Sequence, residues 1–262
     1  MDIALSAARE AGKIVLKYFG RLEKIEYKGE FDVVTEADRE SQEKIIEIIH
    51  SSFPKHNILA EESSPIDKNS DYTWIIDPLD GTTNFSHRYP FFCISVALRK
   101  RHEIMLGIVY NPLSKELFHA QKGEGAFLNN KKITVSETKS LKYSMIATGF
   151  PYNKHSNPEN NLMAFERIAV CVQGLRRDGA AALDMCYVAC GRLDAYWELC
   201  VRPWDVAAGI LIVKEAGGQV TDFNGDKLKL DYTKIVATNS HIHEGLLKII
   251  GGKNAGNNTC SR

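Results

Sequence analysis

Apolar positions recur through residues 2 to about 19 as one stripe, Ala4, Ala8, Ala11, Val15 and Phe19, widened by Ala7 and Ile14. That period predicts an amphipathic helix, with Gly20 closing it. From Ile25 to Val34 the chain reads as extended. Thr35-Glu36-Ala37-Asp38 then opens a second helix running to about Ser52, with Ile45, Ile46, Ile48 and Ile49 inward. Thr35 with Asp38 three residues later resembles a capping box, and Phe53-Pro54 ends the helix. Ile58-Leu59-Ala60 reads as a short strand delivering Glu61-Glu62, and residues 63–73 as a polar surface loop. Trp74-Ile75-Ile76 is a further buried strand. Strands follow at Phe92 to Arg99, Met105 to Tyr110 and Glu116 to Ala120, and a hairpin turning at Asn129-Asn130 ends at Val135. Residues 1–140 thus read as two helices followed by an antiparallel meander.

Beyond Leu141 the pattern alternates. Strands are predicted at Tyr143 to Thr148, Leu175 to Arg177, Leu193 to Trp197, Val220 to Asp222 and Ile235 to Ala237. Helices are predicted at Leu162 to Cys171, Gly179 to Ala189, Val206 to Ala216 and His243 to Ile250. This argues an α/β layer for residues 141–250, with 251–262 a Gly/Asn-rich tail that reads as disordered.

The 262 residues suffice for one large or two small domains. Lys+Arg and Asp+Glu stand at 33 each, so there is no global pull toward nucleic acid or a membrane surface. No early stretch has signal-peptide character and no apolar run approaches spanning length, so a cytoplasmic protein is expected. The six cysteines form no CxxC and no disulfide framework. Cys186 and Cys190 read as buried small hydrophobes on a helix.

The chemistry concentrates after Trp74-Ile75-Ile76. The chain is expected to turn abruptly through Asp77-Pro78-Leu79-Asp80-Gly81, with Thr82 and Thr83 opening a helix. Two carboxylates on a stiff turn bind a hard cation, and free helix N–H groups bind phosphate oxygens. The alternative is an Asp-rich turn with Asp80 as a helix cap. Glu61 after its strand and Asp205 at a helix start add two acids, although alone one reads as a surface acid and the other as an N-cap. Phosphate monoesters are inert, and a site needs cations, an activated water and a stabilised leaving alkoxide.

With these motifs the sequence resembles the inositol monophosphatase family of magnesium-dependent, lithium-sensitive phosphatases. The resemblance rests on Trp74-Ile75-Ile76-Asp77-Pro78-Leu79-Asp80-Gly81-Thr82-Thr83-Asn84 and on Pro203-Trp204-Asp205-Val206-Ala207-Ala208-Gly209 with Glu215-Ala216-Gly217-Gly218. Asp32 to Asp38, Ala60-Glu61-Glu62-Ser63 and Gly123-Glu124-Gly125-Ala126 also match, in family order, over roughly residues 1–250. It implies a five-layer αβαβα sandwich of the inositol monophosphatase / fructose-1,6-bisphosphatase type, a homodimer, and two to three Mg2+ ions. It implies that Glu61, Asp77 and the Leu79 carbonyl hold one metal, that Asp77, Asp80 and Asp205 hold a second, and that Glu61 touches a third. Thr82 would orient the attacking water with its hydroxyl engaged by Asp38, while Gly81 and Thr82 N–H groups cradle the phosphate. Toward the substrate it implies Asp80, Asp205, the Gly179-Ala180-Ala181 segment and Glu198.

Glu198 facing a polyol makes chemical sense, and an exposed strand-end acid is its alternative. Many relatives carry a hydroxyl where Ala180 stands. Arg176 and Arg177 read as a solvated pair, with substrate or a partner subunit as other faces. The expected reaction is hydrolysis of an inositol phosphate or similar small polyol phosphate. Fructose-1,6-bisphosphatase, histidinol phosphatase and 3'-phosphonucleotide phosphatase activities share the metal motifs. A reading from another class is a regulatory platform for an RNA or transcription complex.

Overall fold

A computed structural model describes residues 1–22, 25–27, 29, 33–228 and 233–252. The disordered tail expected from 251 lies, from 253 onward, outside the described residues, as do 28 and 30–32 of the extended stretch.

Two long helices come first: α1 (Asp2–Tyr18) and α2 (Glu36–Ser52), linked through the hairpin of β1 (Ile25–Tyr27) and β2 (Val33–Thr35). A seven-stranded sheet follows, built in chain order from β3 (Asn57–Ala60), β4 (Tyr72–Asp80), β5 (Cys93–Lys100), β6 (Glu103–Asn111), β7 (Glu116–Gln121), β8 (Gly125–Leu128) and β9 (Lys131–Ile133). Only the β3–β4 pair is parallel; the rest is an antiparallel meander. The short helix α3 (Thr82–Ser86) interrupts it between β4 and β5. Asn129 and Asn130 both hold positive φ in the β8–β9 turn, as a tight hairpin requires.

The second sheet has five strands: β10 (Met145–Thr148), β11 (Gly174–Arg176), β12 (Ala195–Leu199), β13 (Gln219–Thr221) and β14 (Lys234–Thr238). Its spatial order is β11-β10-β12-β14-β13. Helices α4 (Leu162–Ala169), α5 (Ala181–Ala189), α6 (Pro203–Glu215) and α7 (His243–Ile250) alternate with these strands. The strand expected from Tyr143 starts two residues later, because Leu141–Tyr143 form a 3-10 turn.

Side-chain alternation fixes the layering. Along β4, Trp74 and Ile76 face α1 and α2, while Ile75 between them faces α5 and α6. A strand covered on both faces needs a continuous apolar run, which is why Trp74-Ile75-Ile76 does not alternate with polar residues. In the second sheet Ala147, Tyr196 and Ala237 face α5 and α6, and Ile146, Trp197 and Val236 face α4 and α7. The stack is therefore α1/α2, seven strands, α5/α6, five strands, α4/α7, the expected five layers. Helix α6 packs so closely that a Cβ on Gly107 of β6 would stand 2.7 Å from the Ala208 carbonyl. At its far end Glu215 accepts backbone N–H bonds from Gly123 (2.8 Å) and Gly125 (2.9 Å). The two glycine-flanked motifs, ninety residues apart, thus form one clamp between α6 and the first sheet.

Candidate active site

The centre of the site is the C-terminal end of β4, and its geometry corrects the expected turn. The strand runs on through Asp80, with a register slip: Asp77 pairs with Ser95, and Asp80 with Cys93. Three residue steps on β4 thus match two on β5, a bulge that absorbs Pro78, which has no N–H for the ladder. The chain reverses one residue later, at Gly81 (φ 93°). A Cβ there would stand 3.0 Å from the Phe91 carbonyl and 3.3 Å from the Ala180 methyl.

Four carboxylates gather around this bulge. Asp77 is buried, and its Oδ1 accepts the Leu79 N–H at 3.0 Å. Asp80 keeps a partly exposed edge; its Oδ2 accepts the Ala182 N–H (2.7 Å) and lies 3.7 Å from the Cys93 thiol. It therefore caps α5, not the helix that follows it. Asp205 is not an N-cap either: it sits at the third position of α6, and its Oδ2 accepts the Arg202 N–H at 2.7 Å. Glu61 follows β3, which places it beside β4; its N–H donates to the Ile76 carbonyl at 3.2 Å.

Burial pushes Asp77 well up, and the charges of Glu61, Asp80 and Asp205 push it further. Asp205 is raised likewise by burial, then by Glu61, Asp80 and Glu198. Asp80 is raised to about 7 by burial, against the Ala182 hydrogen bond. Carboxylates this close raise one another, in addition to the larger effect of burial, and a bound cation would oppose both.

Helix α2 supplies the floor. Asp38 Oδ2 accepts from Thr35 N (2.8 Å) and Thr35 Oγ1 (2.6 Å), so the capping box is present. Its other oxygen lies 2.9 Å from Thr82 Oγ1, so one carboxylate serves both contacts. Burial lifts Asp38 to about 6, against the Thr35 and Thr82 hydrogen bonds. Two contacts of this helix were not legible as site features: Ser41 Oγ donates to the Pro78 carbonyl (2.9 Å), and Gln42 Oε1 accepts the Glu62 N–H (2.9 Å). The available signal was spacing. Asp38, Ser41 and Gln42 continue the buried Ile45–Ile49 stripe backward with polar residues.

The substrate-side residues come from the second sheet and α5. Glu198 lies within β12, not at the end of a strand. Tyr196 OH donates to its Oε2, and a Cβ on Gly149 would collide with both carboxylate oxygens. Burial lifts Glu198 to about 7, against the pull of Tyr196 and Arg177. The exposed-acid alternative is thereby overturned. Gly179 (φ 89°) lies under the Arg177 guanidinium, and Ala180 is buried against Gly81. Asn84 Nδ2 ties this segment to the site, donating to the Phe91 and Asp178 carbonyls at 2.7 Å each. Cys186 is buried and Cys190 half-buried.

As donors for a metal, Glu61, Asp77, Asp80, Asp205 and the Leu79 carbonyl are all oxygen, the set preferred by magnesium. Burial and the adjacent Asp80 push the Cys93 thiol well up. Among the described residues, no three acidic or histidine side chains already close on one point with ligating geometry. The set fits magnesium in donor chemistry and in its unbalanced charge.

The family model described as the inositol monophosphatase family matches residues 1–254. An inositol-1-monophosphatase of Synechocystis sp. is 46% identical over 248 residues, covering 94% of this chain and 86% of that protein. The Nus factor SuhB of Pseudomonas aeruginosa is 42% identical over 257 residues, covering 95% of each. Among solved structures, an inositol monophosphatase from Anabaena (Nostoc) sp. superposes with a TM-score of 0.89 at 42% identity, covering 96% of this chain and 95% of that one.

Proposed function

The chain belongs to the inositol monophosphatase family, and on that footing we propose that it hydrolyses a small polyol phosphate, foremost inositol monophosphate, with two to three magnesium ions. It is a phosphatase acting on phosphate monoesters. The observation that carries the further reading is the carboxylate cluster at the β4 bulge, where Asp77 and Asp205 are raised by burial and by neighbouring negative charge.

Glu61, Asp77 and the Leu79 carbonyl would hold one ion, Asp77, Asp80 and Asp205 a second, and Glu61 would reach a third. Bound there, the ions supply charge neutralisation for the phosphate and a lowered pKa for a water. The chain's own residues do the rest. Asp77, which would serve both ions, is held by the Leu79 N–H. Thr82 Oγ1, held against Asp38, orients the attacking water with Glu61 assisting. Gly81 and Thr82 N–H groups face the phosphate. Asp80, Asp205, Glu198 and the Gly179-Ala180-Ala181 segment line the alcohol side. Glu198 accepts from sugar or inositol hydroxyls, with its second oxygen anchored by Tyr196.

Phosphate release is measured with and without magnesium on inositol monophosphate, fructose 1,6-bisphosphate, histidinol phosphate and a 3'-phosphonucleotide. Asp80→Asn is expected to abolish turnover with the fold intact. Normal activity in that variant would overturn the assignment. The same membership leads us to expect a homodimer and inhibition by lithium, tested by light scattering and by an assay with added lithium.

A second reading draws on the relative named Nus factor SuhB. We propose a regulatory binding role as an addition to catalysis, not a replacement, since each proposed metal donor is present. An inactive wild-type protein on every phosphate would favour the binding role alone. Among the described residues no helix is long and apolar enough to cross a membrane.

A further inference from the structure

One peptide unit in the β4 bulge is held at both ends. The Pro78 carbonyl accepts from Ser41 Oγ at 2.9 Å, and the Leu79 N–H, on the same peptide plane, donates to Asp77 Oδ1 at 3.0 Å. The bond is trans, so the carbonyl and the N–H point in opposite directions. The soft motion of such a plane is rotation about its Cα–Cα axis, and the two hydrogen bonds together restrain it. The register with β5 slips between Asp77 and Asp80, so this peptide lies in the irregular part of the pairing. Ser41 restrains that rotation from the α2 side. Turning the plane moves the N–H, and with it the Asp77 oxygen that it aims.

We infer that Ser41 is a positioning residue for the Asp77 carboxylate, acting through the Pro78–Leu79 peptide. The inference rests on the reading of Asp77 as a metal donor. Ser41 is fully buried, as is the α2 face that carries it, so its hydroxyl has no water to turn to. The same face holds Asp38 against Thr82 and Gln42 against the Glu62 N–H. Through the three side chains, α2 sets the relative positions of the β3 end, the bulge and the start of α3. Pro78 gives this arrangement a specific logic: lacking an N–H, it takes one donor from the strand, and Ser41 supplies a hydrogen bond to its carbonyl.

The test separates positioning from plain destabilisation. Ser144 is an equally buried serine whose Oγ donates to the Leu141 carbonyl at 2.7 Å, far along the chain from the bulge. Ser41→Ala and Ser144→Ala each remove one buried side-chain hydrogen bond. Metal-stripped wild type and both variants are titrated with Mg2+ and Mn2+, followed by intrinsic tryptophan fluorescence and by calorimetry. Ser41→Ala is expected to weaken metal binding by roughly five- to tenfold, the size of one lost hydrogen bond. The metal concentration for half-maximal phosphate release should rise in step, with kcat at saturating metal close to wild type. Ser144→Ala should melt lower and titrate like wild type. Ser41→Cys, which keeps the volume and a weak donor, should fall between wild type and alanine. It also serves if Ser41→Ala does not fold. Serine variants that titrate alike overturn the inference. A wild-type protein with no metal response overturns the metal reading, and the inference with it; a wild-type response matched by Ser41→Ala overturns the inference alone.

Discussion

Thr82 Oγ1 lies 2.9 Å from Asp38 Oδ1 and 2.9 Å from the Leu79 carbonyl oxygen, and it has one proton for two acceptors. An ionised Asp38 is the stronger acceptor, so the Thr82 hydroxyl donates to it, which turns the Thr82 lone pairs away from Asp38 and leaves the Leu79 carbonyl available as a donor atom. Thr82→Val keeps the volume and deletes the hydroxyl. We expect kcat to fall by about 10²–10⁴-fold, the usual scale for a group that manages a proton in the transition state. Metal binding, followed by calorimetry, should be unchanged. A Thr82→Val enzyme with wild-type kcat would remove Thr82 from the water-orienting role. Asp38→Asn is a less clean probe, because Thr35 depends on the same carboxylate.

The acidic cluster sets the pH dependence of the metal-free protein. Asp38, near 6, and Asp80 and Glu198, near 7, all lie above their unfolded values, chiefly through burial. Between about pH 4 and about pH 7 the folded state therefore binds more protons than the unfolded state. Stability contributed by these groups is present at the acid end of that window and is lost as pH rises through it. Thermal melts in chelator should show Tm falling with pH, and added magnesium should flatten the slope. Asp184 offers a check: it is buried, among the described residues its Oδ1 has no hydrogen-bond partner, and burial pushes it well up. Asp184→Asn should lose part of the slope, whatever its absolute Tm. A slope identical to wild type would mean that Asp184 does not titrate with folding.

Much of this was legible before any coordinate. The α1 stripe, the Thr35–Asp38 box and the asparagine hairpin follow from local periodicity and turn chemistry, which a sequence carries residue by residue. Asp77, Asp80, Glu61 and Asp205 stood out because acids next to buried strands and helix starts are chemically conspicuous. The bulge did not, because a DPLDG stretch has the same composition whether the strand bends at Asp77 or slips past Pro78. That choice is made by pairing with Ser95 and Cys93 and by the Ser41 hydroxyl, contacts 13 to 37 residues away. Asp80 capping α5 across 102 residues, and Glu198 closed in by Gly149, are likewise long-range.

Gly81 is constrained twice, by a φ of 93° and by neighbours that a methyl group would press against. Gly81→Ala places a Cβ 3.0 Å from the Phe91 carbonyl and 3.3 Å from both Ala180 Cβ and the Gly179 carbonyl. The left-handed conformation alone costs about 1–2 kcal/mol for a residue with a Cβ. The activity loss should be larger than that cost suggests, since the displaced backbone lies between Asp80 and Thr82. We expect kcat/KM to fall by about 10²-fold or more with a native circular dichroism spectrum. An alanine variant with near wild-type kcat/KM would show that the Gly179–Ala180 segment yields without moving the site.

Lining the alcohol side as proposed, Glu198 would discriminate between alcohols, not between phosphates. One of its oxygens is engaged by Tyr196, and the carboxylate lies across the bare face of Gly149. Glu198→Gln preserves the shape and an acceptor for Tyr196 but loses the charge that strengthens hydrogen bonds from substrate hydroxyls. A charged hydrogen bond is worth about 1.5–3 kcal/mol, so KM for inositol monophosphate should rise by roughly tenfold or more. A phosphate ester without neighbouring hydroxyls, such as p-nitrophenyl phosphate, meets no such bond, and its KM should stay where it was. Equal losses on both esters would place Glu198 among the groups that shape the phosphate end, because its charge also reaches Asp80 and Asp205. A selective loss on the polyol ester would assign it to the choice of alcohol, the feature that the β4 bulge, common to every substrate, does not determine.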